Sequence, residues 1–117
     1  RLVAEELHLA HQQYKVSFQS LFGREEWIKP ATDVTVCAMA KAGIKKIDVI
    51  CPGFSVDCLE TLEEIELLNR GFFLDNGGER FRYIHCLNDR SEHIQMFADL
   101  IRRNLNGWMA EPERWDA

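Results

Sequence analysis

The residues IKKIDVICPG at positions 44–53 determine the fold class that the sequence predicts. An apolar β-branched run at Ile47, Val49 and Ile50 is typical of a strand that is buried on both faces. Pro52-Gly53 then breaks the strand, and an apolar pattern with helical spacing follows it. A buried strand that leads through a turn into a helix is the repeating unit of parallel α/β sheets.

Further strands and helices are predicted on both sides of this unit. The predicted strands are 14–20, 44–51 and 81–84, and the predicted helices are 1–8, 32–42, 91–105 and a helix capped by Ser55 or Asp57 that ends at Asn69. Gly43 is placed to end one helix, and Gly71 is expected in a turn region. This order predicts an α/β fold: a parallel sheet with flanking helices, amounting to about half of a larger doubly wound domain.

Composition excludes several classes of protein. The chain has 117 residues, of which 46% are hydrophobic and 28% are charged, and its formal net charge is −5. Such a composition is typical of a globular protein, and an acidic balance without a basic arm argues against a nucleic-acid partner. No apolar run approaches the roughly 20 residues of a membrane-spanning helix, and no signal peptide is visible.

The length of the chain fits one domain. We assign this domain to residues 1–108 and a polar tail to residues 109–117. The first residue is Arg1 rather than Met, and a helical pattern already begins there. We therefore expect the chain to be a piece of a longer protein that is truncated on its N-terminal side.

No Cys-X-X-Cys pair occurs among the four cysteines, which are Cys37, Cys51, Cys58 and Cys86. Their spacing does not match a zinc ribbon, a zinc finger or a ferredoxin-type cluster. Two disulfides would suit a small secreted domain without a core, but these cysteines lie in apolar helix and strand patterns. Free buried thiols and a cytoplasmic location are the favoured interpretation.

Ligands of open parallel sheets bind beyond the carboxyl ends of the strands. The segments 20–23, 52–60 and 86–89 meet this condition. At about 100° per residue, Asp57 lies on one narrow helix face with two further carboxylates, while the other face turns toward the sheet. The acidic face consists of Asp57, Glu60 and Glu64, and the sheet-facing residues are Leu59, Leu62 and Ile65.

Two interpretations of this acidic face stay open on spacing alone. Acidic residues near a helix N-terminus are favoured by the helix dipole, and an exposed acidic face keeps a protein soluble. Alternatively, Glu60 points into the cleft as a general base or a metal ligand. Repulsion among clustered carboxylates would then raise the pKa of at least one of them toward neutral pH.

Several ordered segments resemble the motifs of ferrochelatase, the enzyme that inserts ferrous iron into a porphyrin. They are CPGFSVDCLETLEEI at 51–65, FQSLFG at 18–23, the Trp27–Pro30 and Thr32-Asp33 positions, YIHCLND at 83–89 and LNGW at 105–108. Together they cover nearly the whole chain, and the Cys-Leu-Glu form at 58–60 resembles that of proteobacterial members that use protoporphyrin. Cys58 stands where some eukaryotic members carry a histidine.

The resemblance implies two similar α/β domains with the porphyrin between them, and it places this chain in the C-terminal part. Glu60 matches the glutamate that faces the porphyrin centre, where it would accept pyrrole protons, help to position iron, or both. Asp57 and Glu64 match accessory acidic positions that suggest a route for cations or protons. Ser20 and Trp27 match positions that line the porphyrin pocket. Protoporphyrin IX and ferrous iron are the implied partners, and a peripheral membrane contact stays open.

The metal-facing histidine of the family lies upstream of the segment that corresponds to Arg1. By motif position, none of the four histidines present replaces it. We expect His8 and His11 on the surface, His93 at an exposed helix position, and His85 as a packed or edge residue at a strand end. The iron–sulfur cluster of some members needs cysteines near the C-terminus, and residues 106–117 contain none, so we expect no cluster.

Two alternatives remain beside a ferrochelatase fragment that makes protohaem only as part of its full-length chain. One is a short chelatase that builds its site by homodimerisation, although such forms need their own cleft histidines. The other is a non-catalytic porphyrin-binding module, which would have no physical need for the acidic face around Glu60.

Overall fold

The computed structural model describes residues 1–20 and 25–108. Its helices are α1 (Leu2–Glu6), a 3₁₀ turn at His11–Gln13, α2 (Thr32–Lys41), a π-helical segment at Glu60–Asn69 that continues into α3 (Arg70–Asp75), and α4 (Ser91–Leu105). Its strands are β1 (Lys46–Ile50) and β2 (Arg80–Ile84). The predicted polar tail at 109–117 lies outside the described residues.

The two strands form a parallel sheet. Ile47 lies opposite Phe81 and Val49 opposite Tyr83, and the chain between the strands crosses over through the π-helical segment and α3. Parallel strands require such a helical crossover, because a tight turn can join only antiparallel neighbours. The predicted α/β class, with a parallel sheet and flanking helices, is confirmed.

The predicted strand at 14–20 is wrong. Phe18 makes only one isolated parallel bridge, to Ala31. Its amide donates to the Pro30 carbonyl and its carbonyl accepts from the Thr32 amide, each at 2.9 Å. Pairing stops there because Pro30 has no N–H and helix α2 begins at Thr32. The side chains of this segment alternate as in a strand, but among the described residues its backbone pairs with a neighbour only at this one bridge.

The core lies between one face of the sheet and the helices packed on it. Its buried members are Val36, Ala40, Ile65, Phe73, Phe81 and Tyr83. Phe73 is fully buried, and its ring lies 6.1 Å from that of Phe81 between ring centres. Burying one such side chain stabilises the fold by about 1.5–3 kcal/mol.

Strand β1 is covered on one face only. Ile47 and Val49 pack against the core, whereas Ile50 is 41% exposed. The expectation that this strand is buried on both faces is therefore wrong for the part of the chain that the structure describes. Gly43 ends α2 as predicted, since its φ of +89° is a conformation that only glycine adopts without strain.

The helix after β1 differs most from its prediction. It continues beyond Asn69 to the end of α3, so Gly71 lies inside a helix rather than in a turn. Every fourth residue points inward along this helix: Thr61, Ile65, Asn69 and Phe73, each at most 2% exposed. In an α-helix, four residues overshoot one turn by about 40°. The wider π-helical turn reduces this drift, which keeps the four side chains on one side.

This geometry also corrects the predicted sheet-facing residues. Leu59 and Leu62 are 73% and 40% exposed, and of the three predicted positions only Ile65 is buried. Thr61 and Asn69 take the inward positions instead.

The cysteines are all free, as predicted. Cys86 is buried, whereas Cys37, Cys51 and Cys58 are half-buried. Burial of the thiols is therefore confirmed in full only for Cys86.

Candidate active site

Three segments meet at the carboxyl edge of the sheet. The turn after β1 contacts the loop after β2, because the Asn88 amide donates to the Ser55 carbonyl at 3.0 Å. Gln19 reaches the same edge, where its side-chain oxygen accepts from the Cys51 thiol at 3.4 Å. This is the edge where parallel sheets bind ligands, and it carries the predicted site residues. Residues 21–23, which were predicted to join them, lie outside the described residues.

Glu60 is the first residue of the π-helical segment, and it is exposed to solvent. The Gln19 side-chain amide donates to its backbone carbonyl at 2.9 Å. A hydrogen bond from the Cys58 side chain, and then one from its own backbone amide, lower the pKa of the Glu60 carboxyl. Repulsion was expected to raise the pKa of a carboxyl in this cluster. For Glu60 that expectation is wrong, because the hydrogen bonds outweigh desolvation, the one influence that raises its pKa.

Glu64 lies one turn further along the same segment. Its two carboxylate oxygens accept hydrogen bonds from Ser20, one from the backbone amide at 2.6 Å and one from the hydroxyl at 2.7 Å. Gln19 and Ser20 are consecutive, so the end of one segment contacts both Glu60 and Glu64. The predicted pocket residue Ser20 is thus beside two of the three predicted carboxylates.

Trp27, the second predicted pocket residue, is joined to the same segment. Its indole N–H donates to the Gln19 carbonyl at 3.2 Å, and its side chain is part-exposed. The structure therefore brings Trp27 close to Ser20 and, through Gln19, to Glu60. Whether it contacts a porphyrin stays a prediction.

Asp57 does not lie on the helix face of Glu60 and Glu64, and that prediction is wrong. It precedes the helix, and its side chain is 11% exposed. Its carboxylate accepts from the hydroxyls of Tyr83 at 2.7 Å and Thr61 at 3.1 Å, from the Asn88 side chain at 2.8 Å and from the Cys86 amide at 3.3 Å.

The pKa of Asp57 follows from these contacts. Burial acts to raise it, but the hydrogen bonds from Asn88, from Tyr83 and from the Cys86 amide outweigh burial and hold it far below the usual range. For Asp57, too, the expected rise toward neutral pH is wrong. Burial and hydrogen bonding to Cys86 raise the pKa of Tyr83 well above its usual value. Tyr83 therefore stays a phenol that can donate to Asp57.

The histidines divide into surface and packed residues. His8 and His11 are exposed, as predicted. His85 is an edge residue, also as predicted: its imidazole is 56% exposed, and its Nδ1 lies 3.1 Å from Asp57 Oδ2. His93 was expected to be exposed and is only 4% exposed. The loop before α4 covers it, since its Nδ1 lies 2.7 Å from the Asn88 carbonyl oxygen.

Three residues of this site were not predicted as functional: Gln19, Tyr83 and Asn88. Gln19 links Trp27, Cys51 and Glu60 through its backbone carbonyl and both ends of its side-chain amide. Asn88 has a φ of +50°, a left-handed conformation that asparagine tolerates better than most residues. Asn88 lies in the segment 86–89, which was expected beyond the end of a strand, but the sequence assigned no individual role to it.

The described residues contain neither a cluster of metal ligands nor a membrane-spanning helix. Across residues 1–20 and 25–108, no three His, Cys, Asp or Glu side chains are grouped so that they could hold a metal ion. None of the helices in the same part of the chain is long and apolar enough to cross a bilayer.

Comparison with known proteins identifies the family. The ferrochelatase family model matches residues 1–105. The chain belongs to the ferrochelatase family. It is 55% identical to the ferrochelatase of Nitrosococcus oceani over 108 residues, and 54% identical to that of Hydrogenovibrio crunogenus over 114 residues. These alignments cover 92% and 97% of this chain.

The chain is much shorter than the ferrochelatases it matches. The aligned parts make up 29% of each of these two ferrochelatases, and 30% of the ferrochelatase of Pseudoalteromonas atlantica, to which the chain is 53% identical. The chain thus spans about three-tenths of the curated ferrochelatases it matches. The resemblance predicted from the motifs is confirmed.

Proposed function

We propose that this chain acts as the C-terminal part of a ferrochelatase that inserts Fe²⁺ into protoporphyrin IX to form protohaem, with Glu60 as the cleft-facing proton acceptor and iron ligand. The observation that carries the proposal is the position of Glu60. It is a solvent-accessible carboxylate at the sheet edge where this fold binds ligands.

The chemistry of metallation suits such a group. Two protons must leave the pyrrole nitrogens while a dication enters. A carboxylate can accept protons and bind a borderline cation weakly enough to release it again. Glutamate is ionised at neutral pH, and hydrogen bonds lower the pKa of Glu60 further. Its carboxylate can therefore attract iron, and a proton that it accepts is passed on rather than retained.

The neighbouring residues take supporting roles in this proposal. Glu64 is the accessory acidic residue nearest to Glu60 along the segment, and Ser20 orients its carboxylate. Trp27 provides a rigid aromatic wall for a porphyrin held in a strained conformation. Asp57 supports the turn before Glu60, since its carboxylate is engaged inside the protein. A direct cation contact of Asp57 stays a prediction of the family resemblance.

The rest of a longer ferrochelatase chain is the principal proposed partner. It would supply the first domain, the other wall of the cleft and the upstream histidine. Helix α4 supports a covering partner, because Ile94, Leu100 and Ile101 are each more than half exposed. Exposed apolar groups in such numbers on one helix are typical of a contact surface. The alternative partner for this surface of α4 is a membrane, which it would contact peripherally.

Iron enters this proposal as a substrate. No resident cofactor is included, and no iron–sulfur cluster is proposed, because the cysteines at 37, 51, 58 and 86 lack the spacing of a cluster motif. We also propose a cytoplasmic location, which four free cysteines support, since thiols stay reduced there.

The test is Glu60→Gln in the full-length ferrochelatase that carries this sequence. We expect protohaem formation to fall by about 100-fold or more, the usual contribution of a general base. Porphyrin binding, followed by fluorescence, should stay unchanged. Glu63→Gln is the matched control, since Glu63 is an exposed glutamate of the same helical segment. Equal turnover by wild type and Glu60→Gln would remove Glu60 from the proposal.

The two alternative functions predict different results. Haem formation by the 117-residue chain alone would favour a self-sufficient homodimeric chelatase. Porphyrin binding without any metallation by the full-length protein would favour a non-catalytic binding module.

A further inference from the structure

The Asn88 side chain makes two hydrogen bonds to Asp57. The Asp57 backbone amide donates to the Asn88 side-chain oxygen at 2.8 Å, and the Asn88 side-chain nitrogen donates to Asp57 Oδ2, also at 2.8 Å. One side chain therefore fixes both the backbone and the carboxylate of a residue that is 31 positions away. The loop after β2 is in this way fastened to the turn that leads into the π-helical segment.

Asn88 is itself held firmly. Its backbone amide donates to the Ser55 carbonyl at 3.0 Å, and its carbonyl oxygen lies 2.7 Å from Nδ1 of the buried His93. Its φ of +50° directs the side chain toward the turn at a modest conformational cost for asparagine. Asn88 is thus a rigid support rather than a mobile loop residue.

The contacts continue from Asp57 to the residues on either side of Glu60. Asp57 accepts a hydrogen bond from the Thr61 hydroxyl at 3.1 Å, and that hydroxyl accepts from the Cys58 amide at 2.9 Å. Glu60 lies between these two residues in the chain, and its own carbonyl accepts from the Gln19 side chain at 2.9 Å. A movement of Asp57 would therefore displace Cys58 and Thr61, which lie before and after Glu60 in the chain.

We propose that Asn88 is a positioning residue for the metallation reaction, acting through Asp57 to hold Glu60 at the edge of the sheet. This inference rests on the proposed role of Glu60. Positioning errors of about 1 Å reduce turnover without removing the reacting group. Loss of the Asn88 contacts should therefore lower kcat while the porphyrin pocket stays intact.

The first experiment uses Asn88→Ala in the full-length ferrochelatase that carries this chain. We expect kcat for Fe²⁺ insertion to fall about 10-fold or more, with the porphyrin dissociation constant changed less than about twofold. Asn76→Ala is the matched control. It removes an asparagine whose side chain also makes a 2.8 Å hydrogen bond, to the Phe72 carbonyl, at the end of α3. The control should keep the wild-type kcat.

The second experiment exchanges the two side chains in the double variant Asp57→Asn/Asn88→Asp. The acceptor for the backbone amide at position 57 is retained. The side-chain contact is retained as well, with donor and acceptor reversed. The amide oxygen at position 57 can still accept from Tyr83 and the Cys86 amide. If the contacts act by positioning, the exchange should recover most of the kcat that Asp57→Asn or Asn88→Ala alone loses.

The outcomes separate this inference from the proposed function. A wild-type protein that forms no protohaem refutes the proposed function. Normal kcat in Asn88→Ala, beside an active wild type, refutes only the role of Asn88. If Asn88→Ala does not fold, the double exchange decides. Recovery of kcat supports positioning, whereas an inactive exchange variant, folded or not, overturns it. A folded but inactive exchange variant would also show that the charge must sit at position 57.

Discussion

Ser20 binds both oxygens of the Glu64 carboxylate, through its backbone amide at 2.6 Å and its hydroxyl at 2.7 Å. Its φ of +63° is a left-handed conformation that is rare for serine. The two residues are 44 positions apart. This pair therefore fastens the segment that ends at Ser20 to the π-helical segment, and it makes the predicted pocket residue the partner of the predicted accessory acid.

Ser20→Ala should lower the free energy of unfolding by about 1 kcal/mol, because a part-buried hydrogen bond to a charged oxygen is lost while the backbone bond stays. Urea denaturation of the single variants and of the double variant with Glu64→Gln gives the coupling energy. Ser91→Ala is the control, since Ser91 contacts Glu92 at the exposed start of α4 and should matter by less than about 0.5 kcal/mol. No measurable coupling between Ser20 and Glu64 would contradict the finding.

The Asp57 carboxylate should make stability depend on pH in a defined direction. Its pKa in the folded protein lies far below the unfolded value of about 3.9. The unfolded state therefore binds the proton first as the pH falls. The contribution of Asp57 is complete above pH ~5 and is lost as the pH falls through the unfolded pKa toward the folded one.

The measurement is the unfolding free energy of wild type and Asp57→Asn between pH 6 and pH 2. We expect the difference between the two proteins to be constant above pH ~5 and to shrink as the pH falls below ~4. A difference that stays constant to pH 2 would show that the pKa of Asp57 is not lowered by folding.

The elements that could be predicted from sequence are those whose signal is local. Helix α4 was predicted with its observed bounds, and strand β2 with its start one residue late, because each contains its own apolar periodicity. Gly43 ended α2 as expected because the left-handed conformation at a helix end needs no distant partner.

The elements that could not be predicted depend on partners far away in sequence. The π-helical segment changes the inward-facing positions from those of an α-helix, which is why Leu62 was predicted to be covered and Thr61 was not. The segment at 14–20 has a strand pattern, but within the described residues its backbone pairs at a single bridge, between Phe18 and Ala31. His93 is covered by the loop before α4, and the apolar periodicity of a helix does not predict the path of a loop.

The same division applies to the candidate site. Glu60, Glu64, Ser20 and Trp27 could be named because the motif at 51–65 and its companions resemble a known family. Their connecting residue, Gln19, could not be named, since its role consists of hydrogen bonds to groups as far as 41 residues away.

Cys51 should react slowly with alkylating agents. Burial of the thiol and repulsion from Cys86 raise its pKa to about 11. At pH 8 about one molecule in a thousand then carries the thiolate, compared with about one in four for an ordinary cysteine. Iodoacetamide labelling read by mass spectrometry should be about 100-fold slower at Cys51 in the native protein than in the unfolded chain.

The pH dependence of this rate separates the pKa from simple shielding. Labelling of Cys51 should keep rising about tenfold per pH unit up to pH 10. A plateau near pH 9 would mean that access, and not the pKa, limits the reaction.

Two glycines on either side of Phe73 should respond with opposite signs to the same substitution. A Cβ atom at Gly78 would overlap the buried Phe73 ring, whereas a Cβ at Gly71, inside α3, meets nothing within 4 Å. Gly78→Ala should therefore destabilise the protein by about 1–3 kcal/mol through overpacking. Gly71→Ala should stabilise it by about 0.5–1 kcal/mol through helix propensity.

Both substitutions restrict the unfolded chain equally, so the difference between them reports on the folded state. The urea midpoints, compared at unchanged m-values, give that difference, which we expect to be about 1.5–4 kcal/mol. Similar midpoints for the two variants would show that the Phe73 ring moves aside at little cost. The core between α3 and β2 would then be loosely packed, and its support of the π-helical segment would be weaker than the burial of Phe73 indicates.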